Sequence, residues 1–254
     1  MSRTLARTLA RTSIRLGGAV LIALGLAAPA SAQIVQSAQF SGGWFFPRGF
    51  DSRALGDVLV ADAMDKGTIA GLSDALAFRM RDFIGGNVHG EWNVAFGPRV
   101  EVGASFGFYQ QTVHSVYYDL VNLDGSEIRQ DLQLRVTPIM GIVRFTPFGR
   151  IGGTQPYVGA GFGALNFRYT ESGQFVDPTD LSIFNDRYIA TGTVPGVALL
   201  GGIHLPLGGD VYGLNVEYRY QWGVGNTGGP ANGFLDDKID LGGGYLNFGF
   251  RVRF

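Results

Sequence analysis

The chain contains no cysteine, which excludes disulfide bonds, thiol catalysis, Cys-based metal sites and a lipid-modified N-terminal cysteine. Charged residues make up only 16% of the 254 positions, and there are only three histidines. Beyond the N-terminal segment, no apolar run reaches the roughly 18 residues that a transmembrane helix needs. These absences argue against disulfide-stabilised proteins, thiol enzymes and helical membrane proteins.

The first 32 residues have the composition of an export signal. Four arginines and no acidic residue accompany an apolar stretch over 16–28, and residues 30–32 form an A-x-A cleavage pattern. We expect a cleaved signal peptide over 1–32 and a mature start at Gln33, with an uncleaved anchor as the alternative. Removal of four arginines lowers the formal net charge from −1 to −5, which gives nucleic-acid binding no electrostatic support.

The mature chain, 33–254, alternates apolar and polar residues with a period of two. The clearest segment is 211–222, where the even-numbered side chains are large and apolar and most odd-numbered ones are polar or glycine. A helix would scatter these residues around its circumference, so the alternation predicts a strand. The eight segments with this pattern are 38–47, 83–96, 100–117, 130–146, 157–170, 195–207, 211–222 and 246–254.

Two of these segments change phase. Near Pro138 the apolar positions shift from even numbers, such as Leu134, to odd numbers, such as Ile139. A second shift follows Ala164, where Leu165 begins a new odd-numbered apolar set. A β-bulge accommodates one extra residue and tolerates proline, so we predict a bulge at each position.

Short and long connections alternate between the segments. The short turns are 97–99, 149–156 and 208–210, and the long connections are 48–82, 118–129, 171–194 and 223–240. Short periplasmic turns and long outer loops are typical of up-and-down barrels in the outer membrane. We therefore predict one all-β domain over 33–254, an eight-stranded antiparallel transmembrane β-barrel. Apolar residues in the first outer loop, including Val58 and Leu59, could form a small cap.

The two faces of the predicted strands differ in a way that orients the barrel. Tyr212, Tyr220 and Trp222 lie near strand ends on the apolar face, as in the aromatic girdles of membrane barrels. Eight strands leave little interior room, so we expect small residues and paired charges inside. The predicted lumen polar network consists of Glu91, Glu101, Arg135, Glu217, Arg219, Arg251 and Arg253. A soluble periplasmic lipocalin-like barrel, with its apolar face inside, is an alternative.

The last strand ends in the alternating apolar residues Leu246, Phe248, Phe250, Val252 and Phe254. This ending resembles the terminal strand of outer-membrane proteins, which the barrel-assembly machinery reads. In strand count, turn pattern and terminal Phe, the mature chain resembles the small OmpA/OmpX/OmpW-like barrel superfamily. The resemblance implies a monomeric protein of the bacterial outer membrane that contacts outer-membrane lipid and lipopolysaccharide. It also implies that Phe248, Phe250, Val252 and Phe254 form the assembly signal.

An enzyme is the second functional class to consider, because some eight-stranded barrels modify lipids. A lipid A acyl hydrolase would need His and Ser on one outward face, with a carboxylate to orient the His. His114 and Ser115 are sequence neighbours and point to opposite faces of a strand, whereas His89 and Glu91 share the interior face. We therefore expect no catalysis.

No cofactor or metal is expected either. The acidic loop residues lack the spacing of a calcium loop. The glycine-rich stretch over 159–163 lacks the strand-helix context of a nucleotide site, so small residues inside a narrow barrel explain it better. The expected roles are envelope integrity, surface binding through long outer loops, or lateral passage of small apolar molecules.

Overall fold

The structure, a computed structural model, describes residues 35–64, 73–150, 153–209 and 211–254. The predicted signal peptide over 1–32 and the predicted mature start at Gln33 lie outside the described residues. None of the helices in the described ranges is long and apolar enough to cross a membrane.

Eight strands close into one antiparallel barrel, in which the last strand pairs with the first. The barrel strands are β1 (Val35–Pro47), β2 (Gly85–Phe96), β3 (Val100–Val121), β4 (Glu127–Phe145), β5 (Gln155–Val176), β6 (Ile183–Leu207), β7 (Tyr212–Trp222) and β10 (Gly243–Arg253). A separate two-stranded sheet of β8 (Val224–Asn226) and β9 (Lys238–Asp240) lies in the last outer connection. The predicted fold class and strand count are confirmed.

The lower part of the barrel, towards the short turns, has a band of exposed apolar side chains. In β1, Phe40 and Trp44 point outward and are 70% and 52% exposed. The band continues around the barrel through Val88, Trp92, Phe106, Ile139, Phe162, Leu199, Tyr218 and Phe248. A continuous apolar surface of this kind belongs in lipid. The interior at this level is polar, so the arrangement is opposite to that of a soluble lipocalin-like barrel.

The strands differ in length by about a factor of two. β3 to β6 contain 22, 19, 22 and 25 residues, whereas β1, β2, β7 and β10 contain 11 to 13. A membrane crossing needs only about 9–11 residues. The long strands therefore project on the outer side as a four-stranded sheet, over residues 110–135 and 168–191, which we call the outer extension.

Two of the predicted loops are corrected by this extension. Most of 118–129 and 171–194 is β-strand, and only short turns remain near Asp124 and Asp180. In both turns an aspartate carboxylate accepts a backbone hydrogen bond from the residue two positions on, at 3.0 Å from Ser126 and 2.9 Å from Ser182. Near the hairpin tips both sheet faces carry polar residues, so the alternation that predicts strands fades there.

Neither predicted β-bulge is present at the phase breaks. The β4–β5 register runs without interruption from Gln130 to Phe145, and the even-numbered residues of β4 face inward throughout. Pro138 and Leu165 are direct cross-strand partners, so both breaks occur at one level of the barrel. Below this level the apolar face meets lipid, and above it the apolar face points inward. The register shift between β3 and β4 lies higher, between Val116 and Val121.

An apolar core fills the outer half of the barrel. Leu132, Leu134 and Val136 are at most 1% exposed and face the interior. They belong to one cluster with residues of the first and last outer connections, namely Val58, Leu59, Leu76, Phe78, Met80, Phe83, Phe234, Ile239 and Leu241. The first connection supplies helix α1 (Val58–Ala63) and a 3₁₀ turn (Met80–Phe83). These two connections form a cap over the barrel.

The neighbouring residues Leu134 and Arg135 provide a test of the inverted faces. Leu134→Ala should lower the free energy of unfolding by about 2–4 kcal/mol, because it leaves a cavity in the capped core. Arg135→Ala should change it by less than about 0.5 kcal/mol, because this side chain faces outward. Urea unfolding in detergent micelles free of lipopolysaccharide measures both. A larger loss of stability from Arg135→Ala than from Leu134→Ala would show that the polar face of β4 points inward.

Candidate functional site

The interior of the lower barrel holds a buried network of ionic side chains. Three carboxylates and three guanidinium groups, all less than 9% exposed, meet there: Glu91, Glu101, Glu217, Arg144, Arg219 and Arg251. Equal numbers of the two signs make the set formally neutral. Neutrality and dense hydrogen bonding are what a buried ionic cluster requires, because an unpaired buried charge is strongly destabilising.

The centre of this network is a ring of two arginines and two glutamates. Arg144 donates to Glu91 and, at 2.9 Å, to Glu217. Arg219 donates to Glu91 and, at 2.7 Å, to Glu217. Each carboxylate thus bridges both guanidinium groups. Arg144 also donates to Asn93 at 3.0 Å, so the ring is held by strands on several sides of the barrel.

Tyr157 closes one side of the ring. Its hydroxyl donates to Glu217 at 2.9 Å and accepts from Asn215 at 2.7 Å. The guanidinium carbon of Arg144 lies 5.2 Å from the centre of the Tyr157 ring, within cation–π range. A Cβ added to Gly202 would lie 2.6 Å from the Tyr157 hydroxyl, so this glycine makes room for the tyrosine.

Further layers lie on either side of the ring. On the side of the short turns, Arg251 donates to Glu101, to Ser37 at 2.7 Å and to His204 at 2.8 Å. On the other side, the Phe45 ring packs against the rings of Tyr109, edge to face, and Tyr245, with centroids 4.5–4.6 Å apart. Together with the ring of ion pairs, these layers fill the lumen.

The structure brings together five of the seven predicted lumen residues. Glu91, Glu101, Glu217, Arg219 and Arg251 all lie in the network described above.

The remaining two predicted residues lie elsewhere. Arg135 is corrected: it faces outward on β4, because the apolar residues of that strand turn inward above Pro138. Arg253 is half-buried at the periplasmic mouth, where it lines a small cavity with Gln155 and His204.

Arg144 was missed by the sequence reasoning. The predicted change of phase at Pro138 assigns the odd, apolar positions of lower β4 to lipid, but the apolar Met140 and Ile142 on the even face obscured its polar character. A usable signal was present, since Arg144 shares the even face with Met140 and Ile142, and an arginine at membrane depth is unfavourable on a lipid face. The structure pairs it across the sheet with Glu101.

A second buried ionic cluster joins the two connections of the cap. Arg53 forms a bidentate ion pair with Asp57, at 2.7 and 3.0 Å, and donates to the Asp240 carbonyl at 2.8 Å. Asp57 also accepts from the Leu59 amide at 3.1 Å at the start of α1. Arg48 donates to the Asp240 carboxylate at 3.0 Å. This cluster ties the first outer connection to the last.

The tips of the two long hairpins form an exposed groove. A cavity of about 830 Å³ lies between the β3–β4 and β5–β6 turns. Its lining includes the exposed apolar residues Val121, Leu123 and Leu181. Exposed apolar groups at this height lie outside the membrane band and are available for contacts with other molecules.

One His–carboxylate pair faces outward. His114 Nδ1 lies 2.6 Å from an Asp131 carboxylate oxygen on the outer face of the extension. Ser115 is buried on the opposite face of the strand, as the sequence predicts. The pair therefore lacks the serine that a deacylase-type site requires.

The predicted assembly-signal residues lie on the lipid-facing side of the last strand. Phe248 and Phe250 are exposed and Val252 is half-buried. Phe254 packs against Trp92, with ring centroids 5.3 Å apart. Their role in assembly stays a prediction.

Comparison with known proteins shows that this chain is similar in fold to several solved structures. No family model matches the chain, and no curated protein matches it. Among solved structures, the chain is similar to outer membrane protein OprG from Pseudomonas aeruginosa, with 12% identity, a TM-score of 0.48 and coverage of 88% of this chain and 97% of that one.

Two further structures are similar. Neisserial surface protein A has 14% identity and a TM-score of 0.42, with 87% and 96% of the two chains covered. A major outer membrane protein from Thermus thermophilus has 12% identity and a TM-score of 0.45, with 87% and 100% covered. At these identities the likeness concerns fold only.

The ion-pair ring can be tested by removing one of its arginines. Arg144→Leu should destabilise the barrel by about 3–5 kcal/mol, because Glu91 and Glu217 lose a shared partner while they stay buried. Adding Glu217→Gln should recover part of that loss, because one uncompensated charge is then removed. Heat-modifiable gel migration and urea unfolding measure both variants. Strict additivity of the two changes would contradict a coupled ring.

Proposed function

We propose that this protein is a non-enzymatic barrel of the bacterial outer membrane that does not conduct solutes and acts through its outer surface. The single observation that supports this proposal best is the filled lumen. Three layers of side chains cross it within the membrane band, and the cap closes the outer half. Function therefore depends on what the barrel presents outside.

The first partner we propose is lipopolysaccharide, bound at the base of the outer extension. Arg135 and Arg168 are cross-strand partners on the outward face, and neither has an ion-pair or hydrogen-bond partner among the described residues. Like charges directly opposite each other repel, so an anionic ligand between them would stabilise the pair. They lie three residues, or about 10 Å along the strand, above the Pro138–Leu165 level. At that height we expect them to lie in the headgroup layer, where lipid phosphates are found.

The second partner class is a molecule bound by the hairpin tips. The groove between the tips has a volume of about 830 Å³, and its apolar rim residues project beyond the lipid band. This location favours surface binding over lateral passage of apolar molecules, because the wall of the barrel is continuously paired at the membrane level. An acyl hydrolase activity receives no support from the outward His114–Asp131 pair without a serine.

Electrical recording tests the closed lumen. The purified protein in a planar bilayer should give no discrete conductance steps, because the ring and its neighbouring layers leave no water-filled path. The double variant Glu91→Ala/Arg144→Ala shortens two side chains of the ring and should open a leak. It is the control that shows that the recording detects an open lumen. Regular single-channel steps from the unmodified protein would overturn the proposal, as would a changed lipid A acyl pattern in cells that express it.

Binding of purified lipopolysaccharide tests the outward arginines. Arg135→Ala/Arg168→Ala should weaken binding roughly tenfold or more, since each arginine near an anionic lipid surface contributes about 1 kcal/mol. Arg129→Ala/Arg187→Ala removes the same charge nearer the tips and should have little effect. The difference should shrink at high salt, because the contacts are exposed. Equal losses of lipopolysaccharide affinity in both double variants would contradict a specific site and indicate general electrostatic attraction.

A further inference from the structure

We propose that the inner side of the outer extension holds a binding site for a small organic cation, a primary amine on a short apolar stem, centred on Glu171. This site is distinct from the outward arginines and from the groove at the tips. It goes beyond the proposed function, since it concerns a soluble small molecule, and neither the closed lumen nor lipopolysaccharide binding is needed for it.

The site is a cavity of about 210 Å³ between the extension and the cap. β3 contributes Tyr117, β5 contributes Glu171 and Phe175, β6 contributes Tyr188, and the first connection contributes Asp62. Four of its thirteen lining residues are aromatic and three are carboxylates. Small-molecule sites typically combine aromatic surface with polar groups that fix the orientation of the ligand.

Glu171 is the group that points to a ligand. It is only 4% exposed, yet its Oε1 atom has no hydrogen-bond partner in the described part of the chain. A buried acceptor without a donor is unfavourable, and for a carboxylate the penalty is larger. An ammonium group in the cavity would supply both the missing donor and the missing charge.

The ionisation of Glu171 fits such a ligand. Glu171 lies six residues beyond Leu165, outside the membrane-spanning part of β5. Burial raises the pKa of Glu171 to about 7. Near neutral pH the empty site is therefore only partly ionised. A bound cation favours the charged form, because opposite charges stabilise each other in a poorly solvated site.

The aromatic walls suit a cation with an apolar stem. Phe175 and Tyr188 pack edge to face with ring centroids 4.9 Å apart, and Tyr117 lies on the opposite strand pair. Ring faces attract ammonium groups, and the same rings bury methylene groups. On the cap side, Asp62 accepts a hydrogen bond from Tyr169 at 3.1 Å.

Cavity size and ligand chemistry narrow the class further. The volume of about 210 Å³ equals that of roughly seven water molecules at about 30 Å³ each, which excludes lipid chains and oligosaccharides. No group of three or more His, Cys, Asp or Glu side chains within the described ranges is placed to hold a metal ion. An organic amine therefore fits better than a divalent metal ion.

Calorimetry with n-butylammonium and with neutral n-butanol tests the proposal on the full protein in detergent micelles. The unmodified protein should bind n-butylammonium and not n-butanol, because Glu171 recognises the charge. Glu171→Gln should weaken binding at least roughly tenfold, as expected when one partner of a buried charge pair is lost. Glu127→Gln removes the same charge from an exposed position near a hairpin tip and should leave binding unchanged.

Three outcomes would overturn the site: no binding of n-butylammonium, equal binding of n-butanol, or full binding by Glu171→Gln. Heat-modifiable migration shows whether Glu171→Gln folds. Should it not fold, Leu235→Trp is the second variant, because Leu235 is half-exposed at the rim of the cavity and a larger ring there should narrow it. It should weaken n-hexylammonium more than n-butylammonium, and equal binding of both amines would contradict the location.

Discussion

The ion-pair ring of Glu91, Arg144, Glu217 and Arg219 is the constraint on which the rest of the barrel depends. An eight-stranded barrel is narrow enough for side chains from opposite walls to meet near its axis. The ring can close only if β2, β4 and β7 bring these four groups to one level. A one-residue slip in any of these strands would turn its charged member towards lipid. The same contacts therefore fix the register and close the lumen.

The level of Pro138 and Leu165 divides the barrel into two halves with opposite requirements. Strand geometry does not change there, since the β4–β5 pairing continues unbroken. Only the surroundings change, from lipid outside a polar lumen to water outside an apolar core. Leu134 and Ile139 are both apolar, yet one is buried in the cap core and the other is exposed to lipid. The same alternation of side chains therefore continues through two environments, lipid below this level and water above it.

This division explains what could be predicted from the sequence. Alternation identified all eight strands and oriented those that lie wholly within the membrane, such as β7 with Glu217 and Arg219. It placed Arg135 on the wrong face, because a period of two does not say which solvent lies on which side. It missed Arg144, because the apolar Met140 and Ile142 share its face and weaken the alternation there. It also missed the hairpins of the extension, whose two faces are both polar near the tips.

Contacts between distant parts of the chain could not be predicted from the sequence for the same reason. The cap depends on Arg53, Asp57 and Asp240, where the two aspartates are separated by 183 positions and meet only in the closed barrel. Glu171 gave no local signal, because its burial depends on the cap lying over the extension. Single-sequence patterns report the face of a residue, whereas these sites depend on which loops cover that face.

The division at the Pro138–Leu165 level also determines which charged side chains are available to bind a ligand. Below the Pro138–Leu165 level the charged side chains are paired with one another and fill the lumen, so they offer nothing to a ligand. Above it, Arg135 and Arg168 face each other without a counter-charge, and Glu171 keeps an oxygen without a donor. Unsatisfied charges of opposite sign thus lie on opposite faces of the same sheet. One face suits an anionic lipid headgroup and the other a small cation, so the two proposed ligands would not compete for space.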